Sequence, residues 1–317
     1  MTSVDTIARS EYRTLAQRCG LLDRSERGKL ALTGTQAKAF LQGQVSNDVE
    51  ALQPGQGCYA AFLTPKGKML GDLRILDAGD EVLLDTERVA LQGLFNMIRR
   101  FSIGYDVHLH KRTLERGLLS LVGPESAAVA GVGVLGDAEH SHAPATIGAV
   151  EFRAIRTDLG VDLLCDVADT AALLSAVQQA GAVPVSPEAV ECLRVEHGRP
   201  RYGIDLDDSV IPQEAGLNER AVSFTKGCYV GQETVARLYH RGKPNRHLRG
   251  LACVRAVATG DELHSEGRVV GRVGSATVSP RFGAIALALV RREAPVGTTV
   301  TVGEDEVGAT IVELPFG

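Results

Sequence analysis

Little in this 317-residue chain suits it to nucleic acid, to a membrane or to a cross-linked scaffold. Aromatic residues make up 4% of it, no RNA-recognition motif is present, and the net charge is −5. The pI near 5.9 supplies no basic field of the kind that non-specific binding to polyanions or anionic lipid needs. A small local basic site stays open. No stretch approaches the roughly 18 apolar residues of a membrane span. The first twenty residues mix Asp5 and Glu11 with Arg9, Arg13 and Arg18 and hold no apolar run, so they fit neither a secretory signal nor an acid-poor transit peptide. The six cysteines, at 19, 58, 165, 192, 228 and 253, form no CxxC pair and show no metal-ligand spacing. Neither a disulfide framework nor a metal site is therefore expected, and a reducing, cytoplasmic setting is the simpler reading.

What is present is an interleaving of helical and strand signals without a fixed repeat, which predicts a mixed α+β architecture of about two domains. A helix is expected after Thr86 as N-cap, with Leu91, Leu94, Phe95 and Ile98 on one face and Arg99 and Arg100 at its end. A second runs from Asp169 through Leu173 and Val177 to Gly181, and a third starts at Ser186 with Pro187 in its first turn. Short strands are expected at 29–32, 73–76, 81–84, 118–122, 150–155 and 161–165. From about Leu248 the helical period gives way to short strands between glycine turns, at 251–254, 268–273, 284–290, 298–302 and 307–314, which reads as a small β-barrel or sandwich. The basic run Arg237 to Arg249 leading into it reads as a linker, either a solvated cationic loop or an anion site.

Two places carry chemistry. In Lys226-Gly227-Cys228-Tyr229-Val230-Gly231-Gln232-Glu233, one thiol stands between a cation, glycines and a carboxylate; a nearby ammonium favours the thiolate, the nucleophilic form. The alternative is a buried cysteine acting as a small hydrophobe. The second place is Glu196. If 187–197 is helical, Ala189, Cys192, Leu193 and Glu196 share a face, so a carboxylate points where apolar side chains point. It then needs a partner: Arg194, Arg199, Arg201 or a ligand.

The word KGCYxGQE resembles the signature of the YgfZ family, the folate-binding relatives of the glycine-cleavage T-protein. Further blocks resemble that superfamily in the same order: LLDRSERGKLALTG (21–34), FLQGQVSNDV (40–49), YAAFLTPKGKMLGDLRIL (59–76) and RVEHGRPRYGIDLDDSVIPQEAGL (194–217). The resemblance implies a T-protein-like fold, with two interwoven α/β domains within 1–247 and a C-terminal β-barrel over 248–317, arranged around a central hole. It implies tetrahydrofolate as cofactor, with Glu196 accepting hydrogen bonds from the pterin and with Tyr202 and Arg237 as further folate-binding candidates. Tyr202, Gly203 and Asp205 match the family's YGxD turn, and Pro212, Glu214, Gly216 and Leu217 its P-x-E-x-G-L.

One departure bears on the reaction. T-protein enzymes carry an Asp-Asp pair where this chain has Gly71-Asp72, so Asp72 alone remains, and aminomethyl transfer is put in doubt while the Cys228 word is gained. The YgfZ resemblance thus implies a monomeric, folate-dependent accessory factor for iron–sulfur clusters. Its partners would be iron–sulfur clients or assembly proteins, including radical enzymes that modify tRNA, with no direct contact with nucleic acid. Cys228 would lie at the mouth of the folate cavity beside Lys226. Two alternatives remain: a folate-dependent one-carbon transferase or demethylase using Asp72 as acid–base group, and a non-catalytic scaffold recruiting partners through Arg237 to Arg249.

Overall fold

The computed structural model describes residues 3–133 and 135–317. The chain divides into two compact units, one comprising 1–62 and 72–190 and the other 63–71 and 191–317.

In the first unit, helix α1 (Ser3–Gln17) precedes strands β1 (Gly20–Asp23) and β2 (Gly28–Thr33), helix α2 (Ala37–Gln42), strands β3 (Gly57–Leu63, up to Phe62), β4 (Met69–Asp77, from Asp72 onward) and β5 (Val82–Thr86), and helix α3 (Leu91–Phe101). There follow β6 (His108–Lys111), β7 (Arg116–Val122), α4 (Ser126–Val129), β8 (His142–Ile147), β9 (Val150–Arg156), β10 (Gly160–Asp166), α5 (Thr170–Gln179) and β11 (Val183–Pro184). They form a six-stranded sheet in the order β11-β1-β7-β10-β9-β8 and a five-stranded sheet in the order β3-β4-β5-β2-β6.

The period of two along a strand explains how the sheets are used. On β10, Val161, Leu163 and Cys165 join a core with Leu119, Leu121, Phe152 and the α5 residues Leu173 and Val177. The alternate residues Asp162 and Leu164 face the other way. Leu164 and Ile155 there meet Ala31, Leu76 and Leu83 of the five-stranded sheet. This inter-sheet layer also holds a buried ionic chain. Arg74 donates to Asp85 at 2.6 Å and to Asp162 at 2.6 Å, and Ser120 donates to Asp162 at 2.6 Å. Arg27 pairs with Asp85 at 2.7 Å and with Glu87. The two guanidinium groups hold the Asp85 carboxyl far below the ordinary carboxylate range against the opposing effect of burial.

The second unit takes in α6 (Pro187–Glu196) from Glu191 onward, then short α7 (Asn218–Ala221) and α8 (Gln232–Arg241). It ends in β12 (Arg246–Cys253), β13 (Glu262–Ser265), β14 (Arg268–Ser279), β15 (Gly283–Arg291), β16 (Thr299–Val302) and β17 (Val307–Val312), closed into a barrel in the order β12-β15-β14-β13-β16-β17. Ala286, Ala288 and Val290 of β15 point into the barrel with Leu251, Leu263, Val302 and Ile311. Small residues inside suit the narrow interior of a six-stranded barrel. Ile285 and Leu287 point outward and pack with Val195 of α6, Leu248, Leu314 and Phe316.

Two sequence expectations are corrected. Residues 237–249 are not a linker: they are the second half of α8 and the first half of β12, with only 242–245 between. Two of their arginines serve the unit's own acids, Arg246 with Glu214 at 3.0 Å and Arg249 with Glu313 at 3.4 Å. Nor does Thr86 cap α3, which starts at Leu91; Thr86 ends β5 and donates its hydroxyl to the carbonyl of Asp72 at 2.5 Å. The Ser186–Pro187 helix start stands, with the Ser186 hydroxyl accepting from Ala189 N–H at 3.3 Å.

Candidate functional site

In the first unit, β3 and β4 carry Tyr59 and Asp72. Asp72 is buried, and the Tyr59 hydroxyl donates to its Oδ2 at 2.6 Å. Burial pushes the Asp72 carboxyl up to about 6; the Tyr59 hydrogen bond works in the opposite direction, and Glu87 adds to the rise. A carboxyl with that value exchanges protons near neutrality. Tyr59 went unnoticed in the sequence, although the two arms of a hairpin turning at Thr64 to Lys68 bring it close to opposite Asp72.

In the second unit, α6 presents Glu196 as its spacing predicts. Ala189, Cys192, Leu193 and Glu196 are all buried. The Glu196 carboxylate accepts at Oε1 from the Ser279 hydroxyl and from the Cys192 thiol, the latter at 3.7 Å. That thiol is pushed up to about 12, first by burial and then by the Glu196 charge, so it remains a donor. Ser279 lies at the end of β14, far away in sequence, and no local signal announced it.

Arg194 is drawn away to Asp205, at 2.9 Å, and to Glu191. Asp205, buried, also accepts from the Arg201 N–H at 2.8 Å and the Ser275 N–H at 2.7 Å. It is thereby the latch of the Tyr-Gly-x-Asp turn onto β14. Tyr202 is half-buried, and its hydroxyl donates to the Met69 carbonyl at 3.5 Å. Glu214 holds Arg246, and its carbonyl accepts from Leu248 N–H at 2.7 Å, tying the 212–217 segment to β12. Within this segment Gln213 donates through Nε2 to the Val235 carbonyl at 2.8 Å. That bond fixes the amide so that its Oε1 is buried without a protein partner, as is Oδ1 of Asn218.

Cys228 alone of the six cysteines is exposed. Its loop is held at both ends. Lys226 is buried, with its ammonium 5.1 Å from the centre of the Tyr229 ring, a cation–π distance. Gly231 takes a φ of 85°, and a Cβ there would stand 2.6 Å from the Thr64 carbonyl oxygen, so the loop sits backbone to backbone on the 64–68 turn. Arg237 is exposed on α8. The second unit thus brings Glu196, Tyr202, Lys226, Cys228 and Arg237 into one body, whereas Asp72 belongs to the first. No group of three or more His, Cys, Asp or Glu side chains that could hold a metal ion occurs among the described residues, and no described helix is long and apolar enough to cross a membrane.

Comparison with known proteins agrees with both units. An aminomethyltransferase from Rubrobacter xylanophilus is 30% identical over 324 residues, covering 97% of this chain and 86% of its own. A chloroplastic protein of Arabidopsis thaliana is 28% identical over 310 residues, covering 93% of this chain and 71% of its own. The crystal structure of the glycine cleavage system aminomethyltransferase T from Bartonella henselae superposes with a TM-score of 0.87 at 23% identity, covering 98% of this chain and 89% of that one, and so shares the fold. Residues 2–226 match the GCVT N-terminal domain and residues 246–316 the glycine cleavage T-protein C-terminal barrel domain, so the chain belongs to the glycine cleavage T-protein family.

Proposed function

We propose that this protein binds tetrahydrofolate and, as a monomer, supports the assembly or repair of iron–sulfur clusters in client enzymes, tRNA-modifying radical enzymes among them. In this reading 1–247 form the folate-binding region and 248–317 the barrel. The observation that carries it is the presentation of Cys228, the one exposed thiol, on a loop fixed by Gly231 and Lys226.

For folate binding, the support is a set of buried acceptors. Glu196 is fixed in orientation through Oε1, and a carboxylate so held matches the adjacent N–H donors on the edge of a pterin, as it matches a guanidinium fork. Gln213 Oε1 and Asn218 Oδ1 are acceptors of the kind that a ligand N–H satisfies. Bound tetrahydrofolate supplies amine nitrogens that accept one-carbon groups. On the cluster side, Cys228 offers one sulfur where a cluster takes four ligands, which suits contact in transit rather than permanent tenure.

The test separates the two halves. Cys228→Ser is expected to bind tetrahydrofolate as the parent does while losing most of the rescue of iron–sulfur enzyme activity in a strain lacking the native protein; full rescue removes Cys228 from the mechanism. Glu196→Gln is expected to weaken tetrahydrofolate binding about tenfold or more, roughly 1.4 kcal/mol.

A second reading, a folate-dependent one-carbon transferase or demethylase, is favoured by Asp72, whose carboxyl at about 6 is suited to proton transfer. Incubation with tetrahydrofolate and an aminomethyl donor, whose carbon is already at the oxidation level of the methylene product so that no oxidant is needed, distinguishes it. Turnover to methylenetetrahydrofolate, lost in Asp72→Asn and kept in Cys228→Ser, would establish the transferase.

A further inference from the structure

The C-terminal barrel carries a cationic cleft that nothing in the folate or thiol chemistry uses. On β12, alternate residues point into the barrel. Leu251 does so opposite Ala286, inside the apolar core. The same face continues toward the end of the strand through Arg249, opposite Ala288, and His247, opposite Val290. At this end of the barrel the inward positions of β12 change from apolar to basic.

The cleft there has a volume of about 320 Å³, near the small end of the range for ligand sites, and barrel mouths are places where such sites recur. Arg249, Arg291, Arg292 and His247 line it, beside an apolar wall of Pro295 and Val296. Glu313 is the only acid in the lining. It meets Arg249 at 3.4 Å with its own side chain 67% exposed, a contact that water screens strongly. Arg292 pairs with its neighbour Glu293, 3.6 Å away and also exposed. Burial, followed by the Arg249 charge, lowers the His247 imidazole below its ordinary value. Three guanidinium groups thus share the cleft with one acid.

We infer that the barrel mouth formed by His247, Arg249, Arg291 and Arg292 is a binding site for a phosphate group carrying two negative charges. Three guanidinium groups and an imidazole outnumber the two oxygens of a carboxylate, which a single fork satisfies. A phosphate offers three strongly accepting oxygens and a compensating double charge. The phosphate is either free or the terminal group of a monoester whose body rests on Pro295 and Val296.

Calorimetric titration of the whole protein at constant ionic strength decides the matter, with inorganic phosphate, phenyl phosphate and glutarate as probes. At least one phosphate probe is expected to bind with Kd below about 1 mM, to bind at least about tenfold tighter than glutarate, and to weaken about tenfold in Arg291→Gln and in Arg249→Gln. Tighter binding of phenyl phosphate assigns the monoester, and equal binding assigns free phosphate. Arg291 lies on the surface, so its substitution leaves the fold intact even where Arg249→Gln does not. Absence of phosphate binding at 10 mM, glutarate binding as tight as phosphate, or affinities indifferent to Arg291→Gln overturns the assignment.

Discussion

Asp72 is a buried carboxyl that accepts from a neutral phenol, the Tyr59 hydroxyl, and this sets the sign of its contribution to stability. Its value rises from 3.8 to about 6 on folding. The folded state therefore holds the proton more tightly, and the associated stability is fully present below the ordinary value and is lost as pH rises through about 6. The shift corresponds to roughly 3 kcal/mol. Urea unfolding followed from pH 4 to 7.5 should show Asp72→Asn gaining on the parent protein across that interval; parallel curves would refute the burial argument. At Cys228 the expectation is kinetic. A thiol-reactive chromophore should label one cysteine rapidly in the native protein and none in Cys228→Ser, since the other five are buried or half-buried. Much of this scale was legible. The 3.6-residue period placed Glu196 on the buried face of α6, and the glycine-flanked word singled out Cys228. The partners were not legible, because Ser279 and Tyr59 reach their carboxylates across strand pairings that no local pattern encodes.

Elements whose apolar residues repeat with one period were readable, and those without a stripe were not. The strands β2, β7, β9 and β10 and the helices α5 and α6 fall where alternation or the helical period put them. Helix α8 escaped notice because Val235 is its only buried residue, and a charged segment with a single anchor looks like a loop. The start of α3 was misplaced for a different reason, the diversion of the Thr86 hydroxyl to Asp72. The loop before α8 gives a contrast between two glycines of one word. Gly227 has open space around its Cα, whereas Gly231 has both a left-handed φ and the Thr64 carbonyl against it. Gly227→Ala is expected to change stability by less than about 0.5 kcal/mol, and Gly231→Ala to cost more than about 1 kcal/mol. Chemical denaturation of the two variants compares them directly, and equal losses would contradict the close approach.

For the whole molecule, the sequence disclosed a mixed α and β body followed by a barrel, and the family resemblance implied interwoven domains, but no residue pattern marked the place of the interruption at Phe62, where the chain leaves the first unit to return at Asp72. Such a departure is set by long-range packing and leaves the strand period unbroken. The face-to-face sheets of the first unit were likewise invisible, since Arg74, Asp85 and Asp162 read singly as strand-face charges. Their pairing is buried, so removing one member strands the others: Arg74→Met is expected to cost about 3–5 kcal/mol by denaturation. A loss under 1 kcal/mol would show that water reaches the layer. The Asp85 contribution has the sign opposite to that of Asp72. It is present above the ordinary carboxylate value and lost only as pH falls through a far lower one, so this layer should outlast mild acid. The seat of the Cys228 loop has a consequence for inheritance. A Cβ at Gly67 would press on Thr234 and the Gly231 carbonyl, just as one at Gly231 would press on the Gly67 backbone. The thiol word and the Thr-Pro-Lys-Gly-Lys turn are therefore a single transferable cassette, and a graft of Lys226 to Glu233 onto a related scaffold will take only when residues 64–68 travel with it.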